Sequence, residues 1–229
     1  MDTPKISIII PVLNEGATLD RTLSALHIGQ GEELIIVDGG STDDTVEIAS
    51  RYTEKIYKSG KGRARQMNYG AEKADGDILL FLHADCKLPS GAFTLIRNTL
   101  KNDNVSFGAF DITYPDRSIC LGLVSFFANL RSRITSIAYG DQGIFLRKET
   151  FLSVGGFPDI PLMEDIEISR RLKRLGRARF ITPPITASPR RFKKEGIVYT
   201  VLRDWRLALS YTIFKTPPEK LIKYYRDVR

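Results

Sequence analysis

Acidic side chains stand at four places where an apolar run breaks off or a helical pattern begins: Asp38, Asp85, Asp141 and the pair Glu164-Asp165. Asp38 closes the run Glu33–Val37 and precedes Gly39-Gly40. A carboxylate there can accept hydrogen bonds from a base N–H or a ribose hydroxyl, and Asp before Gly-Gly is also a good turn former. His83 and Asp85 are spaced i, i+2 after the run ILLFL, which on extended backbone puts both side chains on one side. That spacing suits a clamp for a divalent ion and a diphosphate, because such ions bridge carboxylate and phosphate oxygens. It equally suits a polar loop that ends a strand. Glu164-Asp165 offers a carboxylate base for a reaction in which a hydroxyl attacks an activated carbon. Acids at a helix start also simply favour its dipole, and Asp141 in Gly140-Asp141-Gln142 competes for the role.

The basic residues supply the complementary chemistry. Arg190 and Arg191, beyond Pro189, can pair bidentately with phosphate oxygens, although a solvated basic loop has the same composition. Lys61, Arg63 and Arg65 form a second group open to both readings. Gly60-Lys61-Gly62 matches neither the P-loop GxxxxGK[ST] nor the dinucleotide GxGxxG, which removes the main sequence support for an ATPase or an NAD enzyme.

The segments around these residues read as alternating strands and helices. Lys5–Val12 is continuous and β-branched, the pattern of a strand buried on both faces of a parallel sheet. Ala17–His27 has Leu19, Leu23 and Leu26 at helical spacing, and Glu33–Val37 is a second buried strand. Ser41 is predicted to cap a helix running through Arg51, with Asp43 and Asp44 in its first turn. Glu54–Lys58 reads as an edge strand, Arg63–Ala74 as a helix and Asp77–Leu82 as a third buried strand. A loop His83–Pro89 and a helix to Leu100 follow. Such alternation predicts a doubly wound parallel sheet, whose ligands sit at the carboxyl ends of the strands, where Asn14, Asp38 and Asp85 fall. In the second half, Val105–Tyr114, Gln142–Arg147 and Arg179–Thr182 read as strands. Ile119–Ile137 and Glu164–Leu175 read as helices, and Gly196–Lys215 as a helix with one apolar stripe.

The 229 residues, 42% hydrophobic and 27% charged, fit one α/β domain. Its expected parts are a nucleotide-binding half (1–101), a catalytic and acceptor half (102–194) and C-terminal helices (195–229). Ile6–Leu13, Ile78–Leu82 and Ile119–Leu130 fall well below the roughly 18–20 apolar residues of a membrane-spanning helix. The N-terminal run has no cationic leader or small-residue cleavage site, so no signal peptide is expected. Cys86 and Cys120 are too few and too unpatterned for a disulfide framework or a zinc site, which fits a reducing cytoplasmic compartment. With 34 basic against 27 acidic residues the net charge is +7, which favours phosphate-bearing ligands, anionic lipid or nucleic acid without choosing among them. Zinc-finger patterns and aromatic RNP strings are lacking, and no nucleic-acid partner is expected.

Seven segments, taken in order, resemble the GT-A fold glycosyltransferases of family 2, and within it the small soluble bacterial type with HAD in place of the usual acidic triplet. They are PVLNE (Pro11–Glu15), VDGGSTDDT (Val37–Thr45), GRARQMNYGA (Gly62–Ala71), GDILLFLHAD (Gly76–Asp85), GDQGIFLRKETF (Gly140–Phe151), GGFPDIPLMEDIEISRRLKRLG (Gly155–Gly176) and SPRRF (Ser188–Phe192). The resemblance spans almost the entire chain. It implies a mostly parallel central sheet flanked by helices and a donor that is a nucleotide sugar, UDP-linked. It implies donor contacts from Pro11, Asn14 and Glu15, from Asp38 to the base or ribose, from Arg65 to base or phosphates, from His83, and from Arg190 and Arg191. Asp85 is implied as ligand of Mg²⁺ or Mn²⁺, and Asp165, supported by Glu164, as general base of an inverting displacement. His83 replaces the usual first acidic residue of the triplet.

The acceptor stays open at this level. Ile119–Leu130 and the Trp205 helix are expected to pack on the core, line an acceptor pocket, form a homodimer, or rest on the inner face of a membrane beside Lys193 and Lys194. Two other functions remain as alternatives. One is a nucleotidyltransferase, although PVLNEG stands where its glycine-rich, lysine-bearing signature would be. The other is a non-catalytic sugar-nucleotide-binding protein.

Overall fold

The computed structural model describes residues 3–116 and 118–225. Seven strands form one sheet in the order β3-β2-β1-β4-β6-β5-β7: β1 Ile6–Val12, β2 Glu32–Asp38, β3 Ile56–Lys58, β4 Ile78–Phe81, β5 Val105–Thr113, β6 Ile144–Arg147 and β7 Arg177–Thr186. The pairs β1/β2, β1/β4, β2/β3 and β5/β7 are parallel, and β6 runs antiparallel to both β4 and β5. The sheet is therefore mostly parallel, as the continuous apolar runs predict.

Register decides what meets at its carboxyl edge. Val12 lies beside Asp38 and Ile9 beside Phe81, so the segments after β1, β2 and β4 emerge together. Because β6 is reversed, with Phe81 opposite Ile144, its entry segment Gly140–Gly143 reaches the same edge. The exit of β7 arrives there too, since β5 and β7 run parallel to β4.

Helices cover both faces. On one side α1 (Gly16–Ser24), α2 (Thr45–Ser50) and α4 (Ala92–Leu100) bury Leu19, Leu23, Ile48 and Ile96 against Ile6, Ile8 and Ile10. On the other, α3 (Arg63–Lys73), α6 (Lys148–Ser153) and α7 (Glu164–Leu172) bury Met67, Phe151, Ile168 and Leu172 against Ile9 and Leu79. Strand residues thus alternate between two cores, which is why their runs are unbroken apolar. Gly108 in β5 lies opposite Phe145, and a Cβ there would come 2.2 Å from the phenyl ring. Over the carboxyl edge lie α5 (Ile119–Thr135), α8 (Arg190–Glu195) and α9 (Ile197–Thr212), and α10 (Pro218–Leu221) contacts α9. Leu207 of α9 packs with Ile166 of α7 in a third, smaller core.

Three local expectations are corrected. The helix expected from Ser41 starts only at Thr45, because residues 41–45 turn back and bond the Asn14–Gly16 turn. Arg190 and Arg191, for which a solvated loop is one of two readings, open the short helix α8, with Ser188 and Pro189 preceding it. The last strand does not stop before Pro183-Pro184 but continues to Thr186. β7 is an edge strand, where a proline need not donate to a ladder, and its pairing with β5 shifts register between Phe110 and Ile112.

Candidate active site

A cavity of about 560 Å³ opens at the carboxyl edge of the sheet. The ends of β1 and β4 contribute Pro11, Glu15, His83 and Asp85, and the segment before β6 contributes Asp141. Arg63 and Gln66 enter from the start of α3, Glu164 and Asp165 from the start of α7, and Arg190 and Arg191 from α8. Apolar side chains of α5 and α9 form the opposite wall.

The turn after β1 is built by side chains of residues 41–45. Asn14 sits at φ 52°, its Oδ1 accepting the Thr42 N–H at 2.8 Å. The Asn14 N–H donates to Ser41 Oγ at 2.9 Å and the Glu15 N–H to Thr45 Oγ1 at 2.8 Å. Glu15 is thereby aimed into the cavity, where it accepts two bonds from Arg190, 2.8 Å from Nη1 and 2.9 Å from Nη2. The same guanidinium reaches Asp85, with Nε 3.3 Å from Oδ2. One cation therefore bridges two carboxylates that are distant in sequence. Burial raises the Asp85 carboxyl above the usual aspartate range, against the pull of Arg190.

His83 lies beside Asp85 and is held neutral. Burial, and then the charges of Arg63, Arg190 and Arg191, push its imidazole down to about 3. Its Nε2 is buried with no hydrogen-bond partner among the described residues, and it abuts Gly140, where an added Cβ would lie 2.6 Å away. The Gly140 N–H donates to Asp165 Oδ2 at 3.0 Å, and the Ile166 N–H donates to Oδ1 at 2.7 Å. Asp165 is thus fixed by a backbone donor on each oxygen. Burial still raises its carboxyl above the ordinary range, and raises that of Glu164, whose Oε1 lies 3.5 Å from Arg63 Nη1. Asp141 is pushed up to about 6 by burial, with the charges of Asp165 and Asp85 adding and those of Arg131 and Arg191 opposing. Arg191 donates to both oxygens of Asp204 at 3.0 Å, while its Nε is buried without a partner among the described residues.

Ligand-competent atoms of His83, Asp85 and Cys86 all lie within 4.8 Å of one another. Burial holds the Cys86 thiol well above its ordinary range, so it stays protonated and is a poor ligand. A neutral imidazole with a buried, unpartnered nitrogen beside a carboxylate is a donor set that fits Mn²⁺, with Mg²⁺ served by Asp85 and phosphate oxygens. The residues present fit a divalent ion anchored on Asp85.

The cavity brings together Pro11, Glu15, His83, Asp85, Glu164, Asp165, Arg190 and Arg191. Asn14, Asp38 and Arg65 do not line it. Asp38 is fully buried, and its carboxylate accepts the Gly40 N–H at 3.1 Å and the Ser41 N–H at 3.0 Å. Arg65 is exposed and pairs with Asp159 at 2.8 Å. Its place in the cavity is taken by Arg63. In α3 the buried residues Gln66, Met67 and Gly70 lie three, four and seven positions after Arg63, so the helical period puts Arg63 on the inner face and Arg65 outside. That period was present in the sequence.

The sequence profile of Glycosyl transferase family 2 matches residues 7–146. Glycosyltransferase AglE of Haloferax volcanii is 28% identical over 173 residues, 68% of this chain and 57% of that protein. Probable glycosyltransferase YdaM of Bacillus subtilis is 26% identical over 213 residues, 81% of this chain and 50% of that protein. The chain thus spans about half the length of these relatives. Among solved structures, S. aureus TarS 1-349 in complex with UDP-GlcNAc superposes with a TM-score of 0.64 at 17% identity, over 80% of this chain and 58% of that one. Mannosyltransferase PcManGT from Pyrobaculum calidifontis, in complex with GDP-Man and Mn²⁺, gives 0.63 at 22% identity, over 90% and 61%.

Proposed function

The chain belongs to glycosyl transferase family 2 and shares the fold of these GT-A enzymes, and from that premise we propose that it moves a sugar from a nucleoside diphosphate donor, UDP-linked, to an acceptor hydroxyl with inversion. The observation that supports this most is the facing of two devices across one cavity. On one side Asp85, His83, Arg190 and Arg191 make a place for a charged diphosphate; on the other Asp165 presents a carboxylate held by the Gly140 and Ile166 N–H groups.

In this reading Asp165 accepts the proton of the acceptor hydroxyl. The acceptor oxygen bonds to the anomeric carbon as the bond to the diphosphate oxygen breaks and its electron pair leaves with the nucleoside diphosphate. The raised proton affinity of Asp165 makes it a stronger base than an exposed aspartate. Arg63 holds Glu164 beside it. Arg190 and Arg191 receive the leaving charge, for which guanidinium is suited. A Mg²⁺ or Mn²⁺ ion held by Asp85 and His83 would, when bound, offset that charge as a Lewis acid. Asp38 acts on the nucleoside through the Gly39-Gly40 turn that its carboxylate fixes. The free thiols of Cys86 and Cys120 support the cytoplasm as its place of work.

Calorimetric titration of UDP-glucose, UDP-galactose, UDP-GlcNAc and GDP-mannose in the presence of Mn²⁺ tests the reading. Binding of none of them, nor of UDP, would sink it, and pyrophosphate release from a nucleoside triphosphate would redirect it to nucleotidyl transfer.

A further inference from the structure

The wall of the cavity opposite the carboxylates is apolar, and it does not end at the cavity mouth. Leu123 and Phe127 of α5 and Val201 and Trp205 of α9 line the interior. Along the same stripes, three or seven positions from these, Phe126 and Ile134 of α5 and Val198 and Leu202 of α9 stand exposed, Ile134 at 74% and Leu202 at 66%. The two helices pack against each other, so the outer and inner apolar residues belong to one surface. Large contiguous apolar patches of this kind mark interaction sites on otherwise soluble surfaces.

Charge selects the occupant. Lys193, Lys194, Arg206, Lys215, Lys220 and Lys223 are exposed in and around α8, α9 and α10. The acids of the same region are largely engaged: Glu195 with Arg203 at 2.7 Å and Asp204 with Arg191 at 3.0 Å, leaving Glu219 exposed. Exposed cations on the same helical segments as an apolar face complement an anionic lipid surface. They oppose pairing with a second copy, which would bring like charges together in a chain of net charge +7.

We propose that the exposed stretches of the apolar stripes of α5 and α9 seat the protein on an anionic bilayer, and that the acceptor is an amphiphile drawn from that surface. Its apolar part lies along Phe127 and Trp205 while its hydroxyl reaches Asp165. The acceptor half of this inference rests on the glycosyl-transfer reading; the bilayer half does not. In the transfer the acceptor oxygen gains the anomeric carbon, its proton passes to Asp165, and the nucleoside diphosphate leaves with the electron pair.

The test uses the full chain, with sedimentation on vesicles of phosphatidylcholine alone and of phosphatidylcholine mixed with phosphatidylglycerol, and with UDP titrated in parallel without vesicles. Partition onto the anionic vesicles, weakened by salt, is expected. Lys220→Gln and Lys223→Gln should each lower it by about fivefold, and Leu202→Glu with Ile134→Glu should abolish it while UDP affinity and the circular dichroism spectrum stay unchanged. If the glutamate variants fail to fold, the salt dependence and the two glutamine variants decide. Absence of partition by a chain that binds UDP would overturn the proposal and leave the transfer reading intact. Partition by a chain that binds no nucleotide would uphold the surface and overturn the amphiphilic acceptor. A dimer that Leu202→Glu dissolves, with no vesicle binding, would assign the face to self-association instead.

Discussion

Replacing Asp141 by Asn should stabilise the protein, and only above a particular pH. The folded environment pushes this carboxyl from 3.8 up to about 6, chiefly through burial. In the unfolded chain the group ionises near 3.8. Below that pH it is protonated in both states and contributes nothing. Between 3.8 and about 6 the folded chain holds a proton that the unfolded chain has released, so stability falls as pH rises. Above that window the full penalty is present. At 1.36 kcal/mol per unit it amounts to about 3 kcal/mol, an upper bound because water in the open cavity screens part of it. Asparagine has nearly the same shape and carries no charge. D141N should therefore match the parent near pH 3.5 and exceed it at pH 7.5 by up to ~3 kcal/mol, or roughly 6–12 °C in melting temperature for a chain of this size. Urea denaturation in metal-free buffer at both pH values measures this, with an unchanged m value as the sign that the states compared are the same. An equal gain at both pH values would refute the electrostatic reasoning, and so would a loss of stability at pH 7.5.

Asp165→Asn should lower transfer by about 10²–10⁴-fold, the range for a lost general base, while donor affinity changes by less than about twofold; loss of donor binding in calorimetry would reassign the residue. In the parent, kcat/KM should rise with pH through a value above that of an ordinary aspartate, since Asp165 must be ionised to act and burial raises it, and D165N should lose that limb. Arg63→Ala should destabilise the chain by about 1–3 kcal/mol because buried Glu164 loses its cation, whereas Arg65→Ala, which breaks an exposed pair with Asp159, should cost less than about 1 kcal/mol in the same urea series. Asp85→Ala should abolish the part of UDP affinity that EDTA removes from the parent; an EDTA effect that survives in the variant would place the ion elsewhere.

The strand core was legible because its physics is local. Runs such as ILLFL and LIIV are apolar without alternation, and only a strand covered on both faces accommodates that. Position at a strand end then pointed to the carboxyl edge of the sheet. Strand direction was not legible, since Ile144–Arg147 reads the same in either sense, and its reversal is what brings Asp141 to the site. Ser41 was an acceptable cap by type, but so were Asp43, Asp44 and Thr45, and the choice was made by the Asn14–Gly16 turn across the fold. Arg190 and Glu15, 175 positions apart, form their pair only once topology is known. Asp38 shows the limit of residue type alone: a carboxylate at a strand end serves a ligand or its own turn with the same atoms, and here Gly40 and Ser41 take them.

The charge in the cavity connects these observations. Among the described residues four arginines and six acidic residues line it, with His83 neutral. The formal charge is therefore −2 when every acid is ionised; burial is the main cause of the raised proton affinities of Asp85, Asp141, Glu164 and Asp165, and the neighbouring carboxylates add to it against the pull of the arginines. A nucleoside diphosphate is itself anionic and would enter against that field. Two routes relieve it: protons taken up by the acids, or a divalent cation beside Asp85. Protonation would disarm Asp165 as a base, so the two routes are not equivalent for catalysis. In the proposed reading Asp85 would hold a divalent cation that offsets charge at the diphosphate, while Asp165, fixed by the Gly140 and Ile166 N–H groups, would stay ionised across the cavity. Arg190, which bridges Glu15 and Asp85 in the chain alone, would then exchange these carboxylates for phosphate oxygens. The excess of carboxylates, which costs stability in the chain alone, is thus what makes donor and cation bind as a unit in this reading.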